Sequence, residues 1–377
     1  MDFYLTQEQN ILKDTAHNFL AKECPKNLVR KLEESETGLS RELWQKMAEL
    51  GWQGLVIPEE FGGSGGAFLD LVILFEEMGY NICPGPFFST VILGCLPILH
   101  SGSDELKKTL LPKIARGELF ITMAMTEPSA DYTASSIKTY AKPDKKNYLI
   151  NGTKLFVPDA HIADYLLCIS RTNQKNKPEK GLTVFMVEAK CPGIKQTRLN
   201  TLAGDKQSEV VFENVCVRKD HILGNLNQGW PIAQDTLQKA SVALCAQMIG
   251  GAQAVMDMSM EYAKQRMQFN RPIGSFQAIQ HYFADMWTYI NGSRYLTYKA
   301  AWKISKDIPA GLDVSMAKSY AGHTYRRVTT LGHQIFGGIG FTKEHDLHLY
   351  HKRSITADSN FGDADYHNQI VAHELGL

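Results

Sequence analysis

The sequence predicts an α+β protein in which helices come first, a small β domain follows, and helices return. Two observations carry this. The apolar period is helical from Thr6 to about residue 117, becomes two between about 120 and 223, and is helical again from Gly229 onward. No internal repeat or low-complexity tract interrupts the chain. The expected divisions are 1–119, 120–224 and 225–377, a reasonable partition for 377 residues at roughly 100–200 residues per domain.

In the first part, Thr6 followed by Glu8 and Gln9 starts a helix, with Ile11, Leu12, Ala16, Phe19 and Leu20 on one face. Ser40 is the expected N-cap of a second start at Arg41-Glu42-Leu43-Trp44. Phe68 to Met78 and Ser103 to Ala115 are two further helical stretches. The apolar run Val91–Leu99 is too short for a membrane span, which needs about 20 residues, so a buried helix or loop is expected there. In the middle part, Tyr148 to Val157 predicts a hairpin turning at Asn151-Gly152, because Asn-Gly suits the positive φ angles of a type I′ turn. Tyr165–Arg171, Leu182–Glu188 and Glu209–Val217 are further strands, and the lysine-rich stretch Asn173–Lys180 is a solvated connection. In the last part, Ala240–Met267, His281–Ile304 and Gly311–Gln334 are long helices, the first apolar on more than one face.

Charge excludes some functions. Lys plus Arg equals Asp plus Glu at 40 each, so no bulk field draws nucleic acid or an anionic membrane. The seven cysteines form no C-x-x-C pair, so no metal site is expected, and they suit a reducing cytoplasm. The first residues carry no basic, apolar leader pattern, so no signal peptide is expected.

Two glycine clusters invite a phosphate reading. Gly62-Gly63-Ser64-Gly65-Gly66 lacks a preceding strand and any nucleotide-binding register, so a mobile loop is the expectation. Phe336-Gly337-Gly338-Ile339-Gly340-Phe341 ends a helix, where glycine serves as a C-cap or lets a ligand approach the backbone.

Several motifs together carry more than any one. Met125-Thr126-Glu127-Pro128 and Ile150-Asn151-Gly152-Thr153-Lys154 stand in the middle part. Val210-Val211-Phe212-Glu213-Asn214-Val215 and Ile222-Leu223-Gly224 follow. Arg266-Met267-Gln268-Phe269, Pro272-Ile273-Gly274, Phe276-Gln277 and Gln334-Ile335-Phe336-Gly337-Gly338 complete the series. In order and spacing this set resembles the acyl-CoA dehydrogenase family over nearly the whole chain. The resemblance implies an N-terminal helical domain, a β-barrel-like middle domain and a C-terminal four-helix bundle, with FAD between the last two. It implies that Met125 and Thr126 hydrogen-bond the flavin, and that Phe156 replaces a ring-stacking tryptophan. Arg266, Gln268, Phe269, Phe276 and Gln277 would serve the cofactor, with Arg266 and Gln268 at the pyrophosphate. Gln334, Gly337 and Gly338 would approach it across a dimer. An acyl-CoA substrate, electron-transferring flavoprotein as electron acceptor, and a homo-oligomer or an α2β2 assembly are implied as partners.

The family reaction, α,β-dehydrogenation of the thioester, needs a carboxylate to take the α-proton. The usual position near the C-terminus is Phe361 here. A second position, on the first long helix of the bundle, falls on Ala240 beside Ser241, and a third on Gln247. None of these residues carries a carboxylate. Asp363 and Asp365 are the candidates within the chain, with Asp358 a third; each has a competing role in capping or solvation. Pro158 stands where a threonine usually donates to the flavin, and Asp131-Tyr132-Thr133 replaces a stretch that helps hold pantetheine. Motifs around Pro158-Asp159-Ala160 and Phe361-Gly362-Asp363 resemble subunits of paired dehydrogenases acting on steroid side chains and on dicarboxylic or alicyclic acyl-CoAs, so three readings stand: a dehydrogenase with its base elsewhere, a subunit whose partner supplies the base, or a non-catalytic flavin- and CoA-binding scaffold. Phe87, Phe88 and Ser89–Leu93 are expected to form an apolar pocket wall suited to a ring or branched acyl group.

Overall fold

The computed structural model describes residues 4–174 and 177–377. Its helices are α1 (Gln7–Glu23), α2 (Lys26–Glu34), α3 (Arg41–Glu49), α4 (Phe68–Asn81), α5 (Leu96–Ser101), α6 (Asp104–Ala115), α7 (Gly229–Gln265), α8 (Gln277–Ser305), α9 (Gly311–Phe336), α10 (Leu347–Ser359) and α11 (Ala364–Glu374). Its strands are β1 (Ile121–Ala124), β2 (Tyr140–Asp144), β3 (Asn147–Pro158), β4 (Tyr165–Arg171), β5 (Leu182–Glu188), β6 (Ile194–Leu199), β7 (Gln207–Arg218), β8 (Ile222–Leu223), β9 (Met267–Gln268) and β10 (Arg271–Pro272). Contacts divide the chain into two compact units. One holds Met1–Lys31, Ala67–Cys83 and Ser241–Leu377, and the other Leu32–Gly66 and Pro84–Ala240.

The second unit is built on an eight-stranded sheet in the order β6-β7-β3-β2-β4-β5-β8, with β1 pairing parallel to β4. Its core is the apolar face shared by Ile150, Leu166, Cys168, Phe185, Val210 and Phe212. The expected hairpin at Asn151-Gly152 is not there. β3 runs unbroken through it as one long strand, and the turn lies earlier, at Lys145-Lys146 between β2 and β3. Asn-Gly instead stays in β3 opposite a bulge in β7, where the three steps from Val215 to Phe212 face the two from Ile150 to Gly152 and Asn214 takes φ 52°. Two contacts require it. Asn151 Nδ2 donates to Asn214 Oδ1 (3.1 Å), and a Cβ at Gly152 (φ 149°) would stand 2.4 Å from Thr139 Oγ1.

The glycine run at 62–66 is folded back on its own unit rather than loose. Ser64 N donates to Gly54 O (3.0 Å), Gly65 N to Ile57 O (2.8 Å) and Gly66 N to Leu55 O (2.7 Å). Those amides are spent internally and do not cradle a phosphate. Phe88–Cys95 forms a π-helix that runs into α5. Ser89 to Leu93 are at most 4% exposed, so this segment is packed core rather than the open apolar wall expected of it. Of the lysine-rich connection, residues 175 and 176 lie outside the described part, and Pro178–Lys180 makes a short 3-10 turn.

The first unit is helical apart from the short β9–β10 hairpin. α1 begins as its sequence predicts, with Thr6 and Gln9 forming a reciprocal capping box. α4 and α7 touch backbone to backbone. A Cβ at Gly79 would lie 2.1 Å from Gln247 O, and one at Gly250 would lie 1.8 Å from Glu76 O. Only glycine permits that approach. Beside this crossing Glu76, 3% exposed, accepts from Arg294 Nε (3.0 Å) and Tyr298 OH (2.9 Å), so its buried charge is compensated. Among the described residues no helix is long and apolar enough to cross a membrane.

Candidate functional site

In the sheet-bearing unit, two of the sequence motifs meet through a buried ion pair. Lys154, on the same face of β3 as Tyr148 and Ile150, is fully buried. Its Nζ donates to Glu127 Oε1 (2.8 Å) and to Met125 O (3.1 Å). Glu127 also accepts the amides of Lys138 (2.7 Å) and Thr139 (3.0 Å). Burial pushes the Glu127 carboxyl up, but the Lys154 charge and the two amides outweigh it and hold it below the usual carboxylate range. The Leu155 amide closes the joint on Thr126 O (2.8 Å). Together these bonds set the chain after β1 against β3, so Met125, Thr126 and Phe156 share one place. Phe156 is 49% exposed, at φ 53°, a conformation uncommon for an aromatic residue.

Beside this joint opens a cleft of about 540 Å³, lined by Glu127, Pro128, Asp131, Ser136, Tyr140 and Thr153 among others. That volume is in the range of small-molecule sites. Of the Asp131-Tyr132-Thr133 stretch, Asp131 lines it.

Sequence reasoning missed Asp159. It follows Pro158 at the end of β3, at φ 52°, with its amide on Lys206 O (2.8 Å). Its Oδ2 accepts from Ser89 Oγ of the π-helix (2.6 Å). Burial pushes its carboxyl up to about 6, against the opposing Ser89 hydrogen bond. Asp after Pro signals a turn, and nothing local in the sequence marks this one as enclosed.

In the helical unit, the residues singled out for the cofactor lie at two exposed places. Arg266 leads into the β9–β10 hairpin, which turns on Phe269-Asn270 at φ 51° and 62°. Gln268 and Phe269 lie on that hairpin. Phe276 caps the start of α8 beside Gln277, and its ring lies 4.0 Å from the Arg271 guanidinium. Gln334, Gly337 and Gly338 form the exposed end of α9, where a Cβ on either glycine would meet no atom within 4 Å. Their chemistry suits a dinucleotide: Arg266 and Gln268 carry donors for a pyrophosphate, and the two glycines leave backbone open; in the other unit, Phe156 carries an exposed ring of the kind a flavin stacks on.

The positions considered for the base have the following surroundings. Ala240 is fully buried on α7, and Gln247 is part-buried on the same helix. Asp363 is exposed and caps α11, accepting from Tyr366 N (2.8 Å), which is the capping role open to it in the sequence. Asp365 is exposed in the first turn of α11. Asp358 is buried and paired with Arg326 Nη1 (3.0 Å). Phe361 sits at φ 59° in a loop that is pinned on both sides. The fully buried Lys318 donates to Asp358 O (2.8 Å) and Gly362 O (2.7 Å). His367 Nε2 donates to Phe361 O (3.0 Å), and its Nδ1 accepts from Ser315 Oγ (3.2 Å). Burial, then the Lys318 charge, lower His367 to about 4, so the ring is neutral. Among the described residues no group of three or more His, Cys, Asp or Glu could hold a metal.

Three family models match: the acyl-CoA dehydrogenase N-terminal domain over residues 6–118, the middle domain over 122–215 and the C-terminal domain over 227–376. The chain is 34% identical to an acryloyl-CoA reductase (NADH) of Anaerotignum propionicum, covering 100% of this chain and 96% of that one. It is 32% identical to a caffeyl-CoA reductase-Etf complex subunit of Acetobacterium woodii, covering 91% and 92%. Butyryl-CoA dehydrogenase from Megasphaera elsdenii superposes with a TM-score of 0.93 at 30% identity, over 100% of both chains. With all three domain models matched in order along its length, this chain belongs to the acyl-CoA dehydrogenase family.

Proposed function

We propose that this chain is a FAD-dependent oxidoreductase acting at the α,β-bond of an acyl-CoA thioester, and that it works as one subunit of a paired assembly whose related chain supplies the catalytic carboxylate. One observation carries the second half. Phe361, Ala240 and Gln247 hold no carboxylate, and the nearby Asp363, Asp365 and Asp358 are engaged in capping, solvation or an ion pair. FAD would supply hydride chemistry at the β-carbon. The chain's own part is to bind and orient. Met125 and Thr126 present backbone and hydroxyl groups to the flavin ring, Phe156 packs against it, and Arg266, Gln268, Phe269, Phe276, Gln277, Gln334, Gly337 and Gly338 hold the rest of the cofactor. The cleft of about 540 Å³ beside Glu127 and Asp131 is the place for the pantetheine arm. We assign the three family domains to 1–119, 120–224 and 225–377.

The acyl group is proposed to be alicyclic, branched or dicarboxylic, on the motif resemblance to paired dehydrogenases. The buried state of Ser89–Leu93 withdraws the pocket-wall argument for it. Electron-transferring flavoprotein is the proposed electron partner, since the caffeyl-CoA reductase relative is a subunit of a complex with Etf. The two reductase relatives make the direction of turnover a matter for measurement: the same site removes or returns an α-proton.

A second reading, that the chain is active alone, is favoured by Asp159. Its carboxyl, raised to about 6, is suited to exchanging a proton near neutral pH and lies three residues from Phe156. Anaerobic titration of the yellow protein with acyl-CoAs and enoyl-CoAs separates the two. The paired reading expects flavin bleaching or reoxidation only after a related chain is co-expressed. Turnover by the chain alone, abolished in Asp159→Asn, would replace it with the second.

A further inference from the structure

Away from the cofactor residues, the helical unit brings two cysteines together at a helix junction. Cys24 caps the C-terminus of α1, its amide on Leu20 O (3.0 Å). Cys83 follows the left-handed Ile82 that ends α4, its amide on Met78 O (2.8 Å). Lys26, two residues beyond Cys24, donates from Nζ to the carbonyl of Asn81, two residues before Cys83 (3.0 Å). This bond fixes the two chain ends side by side, and the two thiols are close enough to influence each other's ionisation. Cys24 is 1% exposed and Cys83 is partly exposed.

We propose that Cys24 and Cys83 form an oxidation-sensitive dithiol, a modification site that hydrogen peroxide converts into an intramolecular disulfide. The chemistry follows from the surroundings. The Cys83 S–H hydrogen bond, then the charges of Lys26 and Arg353, lower Cys24 against the opposing effect of burial, whereas the Cys24 hydrogen bond and burial raise Cys83. Cys24 is therefore the first of the two to ionise and Cys83 the one that keeps its proton, which is the division of labour a peroxide reaction needs. The Cys24 thiolate attacks one peroxide oxygen, the O–O bond breaks, and the product is a sulfenic acid plus hydroxide. The Cys83 sulfur then displaces hydroxide from the sulfenic sulfur, and its proton leaves as water. In balance, two thiols are oxidised by two electrons, one peroxide is reduced, and two waters form.

The other cysteines set a contrast. Cys95, Cys168 and Cys245 are buried, and burial pushes Cys95 and Cys245 up to about 12. Cys191 and Cys216 are neighbours in the other unit, but the Cys191 thiol points at the Cys216 carbonyl (3.9 Å) rather than at its sulfur. Selectivity for the 24–83 pair is thus expected even though Cys216 is more exposed.

The test uses the full-length folded protein, reduced, freed of reductant, and treated with stoichiometric hydrogen peroxide. It is then denatured, alkylated, digested without reduction and mapped by mass spectrometry. The expected result is a fall from seven alkylatable thiols to five and a cross-linked peptide joining Cys24 to Cys83. Cys24→Ser and Cys83→Ser should each form no such peptide, and dimedone should label Cys24 in Cys83→Ser. Recovery of both cysteines as alkylated thiols, separate over-oxidation of either, or a cross-link confined to Cys191 and Cys216 would overturn the proposal. The wild-type map decides even if a variant does not fold.

Discussion

Replacing Lys154 with methionine is the sharpest probe of how the site is assembled. The substitution keeps length and apolar bulk but removes a fully buried ammonium that bonds Glu127 Oε1 at 2.8 Å and Met125 O at 3.1 Å. It leaves a carboxylate that is 3% exposed without its countercharge. Breaking a buried pair from one side costs about 3–5 kcal/mol. The amides of Lys138 and Thr139 still bond Glu127, so the lower end, about 3 kcal/mol, is expected. The penalty should depend on pH. In the wild type the folded carboxyl lies below its unfolded value, so its stabilisation is complete above the unfolded value and is lost as pH falls through the folded one. In Lys154→Met only burial and the amides remain, the carboxyl protonates more readily, and protonation relieves the buried charge. The gap between wild type and variant should therefore narrow as pH falls from 7 towards 4. Urea unfolding at a series of pH values, followed by far-UV circular dichroism, measures it. Adding Glu127→Gln should recover part of the loss, and the cycle should return a coupling of more than 1 kcal/mol. A variant within about 0.5 kcal/mol of wild type, or a gap that does not change with pH, would refute the view that this pair joins the two motifs.

Other perturbations have equally definite outcomes. Gly250→Ala places a Cβ 1.8 Å from Glu76 O, a backbone atom that cannot swing away, so the variant should be recovered insoluble or with Tm well below wild type. His367, held near 4 in the fold against an ordinary value of 6.5, binds fewer protons folded than unfolded between those values. Stability should thus decline as pH drops from about 6.5 to 4, by about 3 kcal/mol at most, and His367→Gln should flatten that slope in pH-dependent unfolding. Phe361→Glu puts a carboxylate on a loop already pinned by Lys318 and His367. Under the paired reading it should give the chain alone measurable flavin bleaching by acyl-CoA where the parent shows none.

Much of the fold was legible because its signals are local. Thr6 and Ser40 are caps that their own helices satisfy, and the helical period fixes α4, α8 and α9 to within a few residues. The hairpin failed for the opposite reason. Asn151-Gly152 has turn chemistry, but its conformation is decided by Asn214 and Thr139, which are distant in sequence. The real turn, at Lys145-Lys146, lacks the Asn-Gly signature. Lys154 and Lys318 escaped because lysine is ordinarily a solvent residue. A signal for Lys154 existed: the alternation in β3 that buries Tyr148 and Ile150 reaches Lys154 without a break, and only Val157 owes its burial to the extra residue of β3 after Lys154. The motif resemblance singled out Met125, Thr126 and Phe156, while the bond network that brings them together is visible only in three dimensions.

The central claim is that these motifs still build a working flavin and thioester site. An anaerobic absorption titration tests it most directly, using the chain purified alone and co-expressed with a related subunit. The expected result is a yellow protein whose flavin band responds to an acyl-CoA or enoyl-CoA in the paired preparation. A colourless protein in both preparations that takes up no FAD on incubation would contradict it.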